Sequence, residues 1–342
     1  MTTKRKPTVK DVARLAGVSS MTVSRALSKP DVVSQQTRRK VEEAAAQLGY
    51  VPNLAAMALI TKRSGMIGAL MTTITNPILA TTIEKLQQGL AAKGYHLLIG
   101  ETVFSPDQEA HLLRAFLGRQ LDGLILAYGY HNEETLALLR GADIPVVELW
   151  DLPEGPLPRQ PIGRVVGFSN WSAGHAAGQH LVEQGYQRPG FFGFDDEREE
   201  LRWQGFRQAV LDGLGLEPFR FKTSSIPSLD DGTRVIELYA RDEIPCDALF
   251  FTNDMQAIGA LYRCQRLGIQ VPDPLGICGF GDLPIAQVST PSLTSVRIPA
   301  EKVARLTVEL LDQQIRGEEV KTAAIDVGCE LIARESTRRN PE

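Results

Sequence analysis

The sequence predicts an α/β protein in which a small three-helix domain precedes two doubly wound parallel sheets. Residues 8–50 carry three short helical patterns, whereas from Met66 onward short apolar strands alternate with helical stretches. Such alternation is typical of parallel sheets that are covered by helices on both faces. The length of 342 residues also exceeds one ordinary core, so we expect more than one domain.

The first helix is predicted from its cap and its apolar spacing. Thr8 can cap it together with Asp11, three residues further on, and Gly17 can end it. Apolar residues recur at intervals of three or four, which gives the helix one buried face. These residues are Val9, Val12, Ala13 and Ala16.

The next two helices are delimited by serine, proline and glycine. The second helix is expected to start at Ser19 or Ser20, and Pro30 prevents it from continuing further. The third helix is expected to start after Ser34 and to end at Gly49. Residues 51–63 then form a link whose LAAMAL run favours a helix but is too short to be stable alone.

Eight apolar segments rich in Val, Ile, Leu and Phe are expected to form the strands of the sheets. Helical stretches such as LATTIEKLQQGLAAKG and WSAGHAAGQHLVEQG lie between most of them. Because there are too many strands for one small sheet, we expect two halves that separate near residue 165. The segments are IGALMTT, HLLIGE, GLILAY, PVVELW, RVVGFS, GFFGF, ALFFTN and LGICGF.

The charge is distributed unevenly between the start of the chain and the rest. Residues 1–62 carry a net charge of +7 and the remainder carries −11, although the whole chain has only −4. A basic head on an acidic body is typical of a nucleic-acid-binding protein with an attached second function. A solvated basic tail is the simpler alternative.

Several classes of protein and site are excluded by the sequence. No apolar run is long enough to cross a bilayer, the N-terminus has no secretory signal, and the four cysteines contain no CxxC pair. The five histidines are scattered, and no P-loop, GxSxG, HExxH or dinucleotide motif is present. We therefore expect a protein of the reducing cytoplasm, not an enzyme, without a catalytic residue, metal or cofactor and without a membrane partner.

The segment TVKDVARLAGVSSMTVSRALS, residues 8–28, predicts a helix-turn-helix. Its tight turn at Ala16-Gly17-Val18 separates two helices, and the second exposes short polar side chains that can reach base edges and phosphates. Arg25 can pair with a guanine. An ordinary helical hairpin is the alternative. The exposed face consists of Ser20, Met21, Thr22, Ser24 and Arg25.

This segment and the sequence that follows it closely resemble the LacI/GalR family of transcriptional regulators. The resemblance begins with VKDVARLAGVS, TVSRAL and VSQQTRRKVEEAAAQLGYVPN and continues through NLAAMAL, DGLIL, VGFSN, RWQGF, FFTNDMQAIGAL and GICGFGD. Within the family, IPVVELWD, VVGFSN and TNDMQAIGALYRCQRLGIQVPD are most similar to gluconate repressors. The resemblance implies a homodimeric repressor, associated with the bacterial nucleoid, that binds palindromic double-stranded operator DNA.

The resemblance also implies how the chain is divided. Residues 1–50 would bind DNA, 51–63 would form a hinge helix or linker, and 335–342 would be a tail. Residues 64–334 would bind the effector and dimerise, with a fold similar to periplasmic sugar-binding proteins. Their N-subdomain would comprise about 64–164 and 295–320, and their C-subdomain about 165–294 and 321–334.

The DNA contacts that the resemblance implies lie in the three helices and in the hinge. In the family, a leucine from each hinge helix wedges into the minor groove, and Leu59 falls at that position. Unstacking a base step in this way bends the duplex. The expected DNA-binding residues are Thr8, Lys10, Ser19, Ser20, Met21, Thr22, Ser24, Arg25, Ser34, Gln35, Thr37, Arg38, Asn53, Ala56 and Leu59.

The effector is expected between the two halves, at the carboxyl ends of the strands. The family keeps an effector-anchoring arginine at the position of Arg202, and a guanidinium can hold a carboxylate in two hydrogen bonds. Many sugar-sensing members have an aspartate where this chain has Gly281, a change that favours an anion, although Asp282 could refill the space. Glu148 would oppose an anion if it faced the pocket. The expected effector-binding residues are Thr72, Asn76, Glu148, Asp151, Asn170, Arg202, Asn253, Gly281 and Asp282.

These features predict a small sugar acid as inducer, with gluconate first and a ketogluconate or 6-phosphogluconate next. A neutral sugar, a nucleobase or a protein corepressor is the alternative. The tail after Ile332 has no leucine heptad, so we expect a dimer and not a tetramer held by a coiled coil.

The hinge leucine gives a first testable prediction. Leu59→Ala should reduce operator bending and operator affinity without changing effector affinity, because the side chain acts only as a wedge between bases. Bending is measured by energy transfer between dyes at the two ends of an operator duplex. The wedge hypothesis fails if the bend angle of the variant equals that of the parent.

Overall fold

The computed structural model describes residues 6–28, 32–51, 63–127, 131–153, 161–194, 196–223 and 228–339. The described residues group into two compact units, one containing those up to Met66 with Phe116–Asp122, the other containing Ile67–Ala115 and those from Gly123 onward. Among the described residues, no helix has both the length and the apolar character of a membrane span.

The helical head forms as its capping residues predict. The Thr8 hydroxyl donates to Asp11 Oδ2 at 2.7 Å, and Gly17 and Gly49 end their helices with φ of 66° and 62°. Ser19 Oγ accepts from the Thr22 amide at 3.1 Å, so Ser20 is the first helical residue of the second helix. The head helices are α1 (Val9–Ala16), α2 (Ser20–Ser28) and α3 (Gln35–Leu48), which pack around Val12, Val23 and Val41.

The rest of the described chain contains twelve strands in two six-stranded sheets. The first sheet has the order β11-β5-β4-β3-β1-β2 and the second has the order β12-β10-β9-β8-β6-β7. The strands are β1 (Met66–Met71), β2 (His96–Glu101), β3 (Gly123–Leu126), β4 (Val146–Asp151), β5 (Arg164–Phe168), β6 (Pro189–Phe194), β7 (Phe219–Thr223), β8 (Ala248–Phe251), β9 (Gly276–Gly281), β10 (Thr294–Arg297), β11 (Ala324–Asp326) and β12 (Glu330–Ile332).

Helices separate most of these strands, as expected for doubly wound sheets. The central strands pair in parallel, and β10 pairs antiparallel with β12. The helices are α4 (Pro77–Ala92), α5 (Pro106–Leu117), α6 (Glu133–Gly141), α7 (Asn170–Glu183), α8 (Glu197–Leu214), α9 (Leu229–Tyr239), α10 (Asp254–Leu267), α11 (Pro284–Val288) and α12 (Ala300–Ile315). The predicted α/β class with two parallel-sheet halves is confirmed.

The predicted boundaries of the two halves need correction at three strands. The sequence predicts a boundary near residue 165, but β5 pairs along its length with β4 and belongs to the first sheet. Conversely, β10 lies in the second sheet although 295–320 is expected in the first half, and β11 pairs with β5 although 321–334 is expected in the second. Local sequence specifies a strand but not its partner, so it does not determine sheet membership near a crossover.

Glycines allow helices α7 and α8 to pack in close contact. A Cβ added at Gly174 would lie 1.8 Å from the carbonyl oxygen of Arg202, and one at Gly205 would lie 1.9 Å from that of Trp171. Because backbone atoms cannot give way as a flexible side chain can, only glycine fits at these crossing points. The close contact brings the first turn of α7 beside Arg202.

This crossing predicts that Gly174→Ala destabilises the protein. Overpacking of this kind costs about 1–3 kcal/mol, which corresponds to a fall of several degrees in melting temperature. Gly141→Ala is the matched control, since Gly141 ends helix α6 with open space at its Cβ position and with no positive φ. Calorimetry should show a lower melting temperature for the first variant only, and equal melting temperatures would contradict the steric argument.

Candidate functional site

The exposed face of helix α2 is one candidate site. Ser20, Met21 and Arg25 are exposed, with Met21 exposed to 63%, whereas Thr22 and Ser24 are half-buried. Side chains of this kind on the second helix of a helix-turn-helix can reach base edges in the major groove.

The other predicted DNA-binding residues lie at helix starts or outside the described residues. The hydroxyls of Thr8, Ser19 and Ser34 form hydrogen bonds that cap the starts of their own helices. Arg38 forms an exposed ion pair with Glu42, and breaking this pair to contact DNA costs little free energy. Lys10 and Gln35 are exposed and Thr37 is half-buried. Asn53, Ala56 and Leu59 lie outside the described residues.

A cavity of about 300 Å³ lies at the carboxyl ends of both sheets. Strand-end residues line it because parallel strands present their carboxyl ends at one edge, where loops can supply polar groups. Those of the first sheet are Thr72, Thr73, Ala127, Trp150, Asp151 and Phe168, and those of the second are Phe194, Thr252, Asn253, Phe280 and Gly281.

Arg202 lies in the wall of this cavity with most of its guanidinium already engaged. Its Nε and Nη2 donate to Asn170 Oδ1 at 3.1 and 2.7 Å, and its Nη1 donates to Glu199 Oε1 at 2.6 Å. The guanidinium carbon lies 4.0 Å from the centre of the Phe280 ring, within the range of a cation–π contact. The side chain is therefore held in one orientation before any ligand arrives.

Asn170 links Arg202 to the first sheet. Its side-chain nitrogen donates to Asp151 Oδ1 at 2.9 Å, while its oxygen accepts from Arg202. Asn170 itself does not line the cavity and acts on it through its two neighbours. Both Asn170 and Asp151 are buried.

Six of the nine predicted effector-binding residues line the cavity. Asn76 and Asn253 do so while their side-chain oxygens cap α4 and α10, accepting from the amides of Ile78 and Met255 at 3.1 and 2.9 Å. Each amide nitrogen can still donate. The six residues are Thr72, Asn76, Asp151, Arg202, Asn253 and Gly281.

Glu148 and Asp282 do not line the cavity, which corrects two of the predictions. Glu148 Oε1 accepts from the backbone amides of Ile162 and Gly163 at 2.7 and 3.3 Å. Asp282 forms ion pairs with Arg297 and Arg334, both at 2.6 Å, so it does not refill the space left at Gly281.

Asp254 is buried behind the cavity wall. Its oxygens accept from the Leu283 amide at 2.7 Å and from Ser295 Oγ at 2.6 Å. Burial raises the pKa of this carboxyl to about 6, although both hydrogen bonds lower it. Asn253, and not Asp254, caps helix α10.

Trp150 and Glu199 are cavity residues that the sequence did not single out. Trp150 has a φ of 79°, and its buried indole Nε1 has no hydrogen-bond partner among the described residues. Backbone strain of this kind clusters at ligand sites. Glu199 precedes Arg202 by three residues on one helix, a spacing that predicts an ion pair and could have identified it.

Comparison with known proteins places the whole chain in one family. Residues 8–53 match the model for bacterial regulatory proteins of the lacI family, and residues 179–337 match a periplasmic binding protein-like domain. The HTH-type transcriptional regulator GntR of Escherichia coli K12 is 36% identical over 96% of this chain and 98% of its own length. The chain belongs to the LacI family of transcriptional regulators.

Two further LacI-family proteins support this assignment over nearly the full length. The GntR regulator of Pseudomonas aeruginosa is 37% identical over 98% of this chain and 97% of its own length. A LacI-family regulator from Silicibacter pomeroyi has a crystal structure that matches with a TM-score of 0.87 at 30% identity, covering 97% of this chain and all of the other. LacI-family regulators bind operator DNA and small-molecule effectors and act as dimers. This chain is accordingly a DNA-binding transcriptional regulator.

The exposure of Arg25 predicts a specific role in operator binding. Arg25→Ala should weaken binding to the operator by about 1–3 kcal/mol if the guanidinium contacts a base, and should leave binding to random DNA nearly unchanged. Arg39→Ala is the control, because Arg39 is exposed on α3 and pairs only with Glu43 in the described structure. Fluorescence anisotropy with operator and random duplexes measures both affinities. An equal loss on both duplexes would show that Arg25 contacts only phosphate.

Proposed function

We propose that this regulator is a repressor whose operator affinity is lowered by a small sugar acid. Gluconate is the first candidate, followed by a ketogluconate and 6-phosphogluconate. The resemblance to gluconate repressors supports gluconate, and the two GntR relatives align with almost the entire chain. The residues proposed to bind the effector are Thr72, Asn76, Asp151, Arg202, Asn253 and Gly281, and Asn170 is proposed to position Asp151 and Arg202.

The position of Arg202 is the observation that carries the proposal. A guanidinium has five N–H groups. The hydrogen bonds from Arg202 to Asn170 and Glu199 use three of them, which leaves two for a ligand in a wall of the cavity. A carboxylate is the group that best fits a planar guanidinium, because its two oxygens match two parallel N–H bonds.

Two carboxylates that the sequence placed at the cavity do not face it, which makes it less repulsive to an acid. Glu148, which would repel an anion if it faced the ligand, is instead engaged by two backbone amides of the loop that precedes β5. Asp282 is neutralised by two arginines. Gly281 brings no carboxylate to the cavity at the position where many sugar-sensing relatives have one.

The hydroxyl groups of a sugar acid would meet other polar residues that line the cavity. Asn76 and Asn253 can each donate from an amide nitrogen, and the Thr72 hydroxyl can both donate and accept. These groups can pair with several hydroxyls, so the cavity suits a polyhydroxy ligand.

A neutral sugar is the second candidate, and one observation favours it. Asp151 and Glu199 both line the cavity, and carboxylates commonly accept hydrogen bonds from sugar hydroxyls. Among the described residues, no comparable feature favours a nucleobase or a protein corepressor.

The regulatory step follows from linkage between the effector and DNA. The ligand would close the two halves around the cavity and thereby favour a state in which the hinge segments no longer pair on the operator. The ligand can lower operator affinity only by the factor by which it binds this state more tightly than the operator-binding state. A coupling of about 1–3 kcal/mol is sufficient for a regulatory switch.

Replacing Arg202 tests the proposal. Arg202→Ala should abolish gluconate binding and induction while operator repression persists, and Arg202→Lys should bind gluconate weakly, because it keeps the charge but loses the planar fork. Arg207→Ala is the control, since Arg207 lies on the same helix and pairs with Glu217 at the surface. Titration calorimetry with gluconate and a reporter assay measure the two effects. The assignment is wrong if Arg202→Ala binds gluconate as tightly as the parent.

A further inference from the structure

Two arginines that line the cavity are each held in an ion pair with a carboxylate. Among the described residues, Arg198 and Arg202 are the arginines that line the cavity. Arg198 forms an ion pair with Asp196 at 2.7 Å, and Arg202 forms one with Glu199 at 2.6 Å. An anion that binds Arg202 must therefore share its guanidinium with a carboxylate that is already there.

Glu199 cannot leave this position to make room. Its side chain is 1% exposed, and Oε2 faces the backbone at Gly193, where an added Cβ would lie 2.4 Å away. The Thr252 hydroxyl lies beside the same point, 3.0 Å from that Cβ position. A carboxylate enclosed in this way cannot turn away from a new negative charge, so taking up a proton is the response open to it.

The groups that face Glu199, either directly or through Arg202, come from five elements of the fold. Helix α8 and its cap contribute Arg202, Arg198 and Asp196, whereas β6 and the end of β8 contribute Gly193 and Thr252, neither of which is charged. Helix α7 contributes Asn170 through Arg202, and β9 contributes the Phe280 ring. Asp151 is one hydrogen bond further away, behind Asn170.

This environment makes protonation easy near neutral pH. Burial raises the pKa of Glu199 to about 7, and the Asp196 charge raises it further, although Arg202, the Thr252 hydroxyl and Arg198 lower it. A second anion at Arg202 raises it again, because two like charges that share one buried site cannot both remain ionised.

We propose that this regulator binds its anionic effector together with one proton, which Glu199 takes from solvent and donates as an O–H to the Thr252 hydroxyl. The inference rests on the proposed function, because it requires an acid as effector. A neutral ligand adds no charge beside Glu199 and would therefore bind without proton uptake. Proton uptake thus distinguishes an acidic effector from a neutral one.

The proton uptake has a predictable sign and size. Well below pH 7 Glu199 already carries the proton, so affinity for the acid is highest there and changes little with pH. Above pH 7 the binding of each ligand is accompanied by uptake of up to one proton from solvent, and the affinity for the acid falls by up to about tenfold per pH unit. Uptake should approach one proton per ligand near pH 8.

Titration calorimetry of the full chain with sodium gluconate tests this at pH values from 6.5 to 8.5. Buffers with different ionisation enthalpies give the number of protons bound. Glu199→Gln should abolish the uptake and make affinity independent of pH, whereas Glu200→Gln should behave as the parent. Glu200 is the matched control because it lies next to Glu199 on the same helix, does not line the cavity and pairs with Arg220.

Asp254 provides the decisive comparison, since it is a second buried carboxyl near the cavity whose pKa is raised. If Asp254→Asn abolishes the uptake and Glu199→Gln does not, the proton belongs to Asp254 and the proposal is wrong. It is also wrong if gluconate binds the parent without proton uptake, a result that leaves the proposed function intact.

A second measurement uses only the parent protein, so its result does not depend on whether Glu199→Gln folds. Infrared difference spectra of the parent, with and without gluconate, should show the C=O stretch of a protonated carboxylic acid appear at pH 8. Its absence while gluconate binds would overturn the proposal. If neither gluconate, a ketogluconate nor 6-phosphogluconate binds at any of these pH values, the proposed function and this inference both fail.

Discussion

The buried guanidinium of Arg202 is the constraint around which the cavity is organised. A charge in this position is tolerated only with a counter-ion and hydrogen-bond acceptors, which Glu199 and Asn170 supply. Because the oxygen of Asn170 is committed to Arg202, its nitrogen must donate, and Asp151 is the acceptor. One buried charge thereby fixes side chains from two helices and from the first sheet.

The signals that the sequence carried reliably are local ones. Gly17 and Gly49 end helices because their left-handed backbone costs glycine nothing, and Ser34 begins a helix because its hydroxyl accepts from the Thr37 amide. Each of these features involves residues within a few positions of one another. The strands β10 and β11 were not predicted because they are only four and three residues long and form no apolar run like those of the central strands.

The candidate site was predicted in part, and the errors have a physical origin. Polar residues at strand ends were expected at the effector site, and Asp151 and Asn253 do line the cavity. The expectation holds for them because parallel strands bring their carboxyl ends to one edge. The same reasoning failed at Glu148, which lies two residues before Trp150 on the same strand. The positive φ of Trp150 breaks the alternation of side chains, so that both Trp150 and Asp151 reach the cavity. No local rule assigns such a backbone to tryptophan.

The path of the chain between the sheets bears on how such regulators can diversify by recombination. The chain passes from the first sheet to the second after β5, returns after β10 and passes again after β11. Neither half is therefore a contiguous genetic cassette, and exchanging one of them requires several breakpoints. The helical head, in contrast, is continuous from α1 to α3, so a single crossover can give it a new sensor. New effector specificities are accordingly expected to arise mainly by point substitution within the cavity, and new pairings of operator and effector by exchange of whole segments.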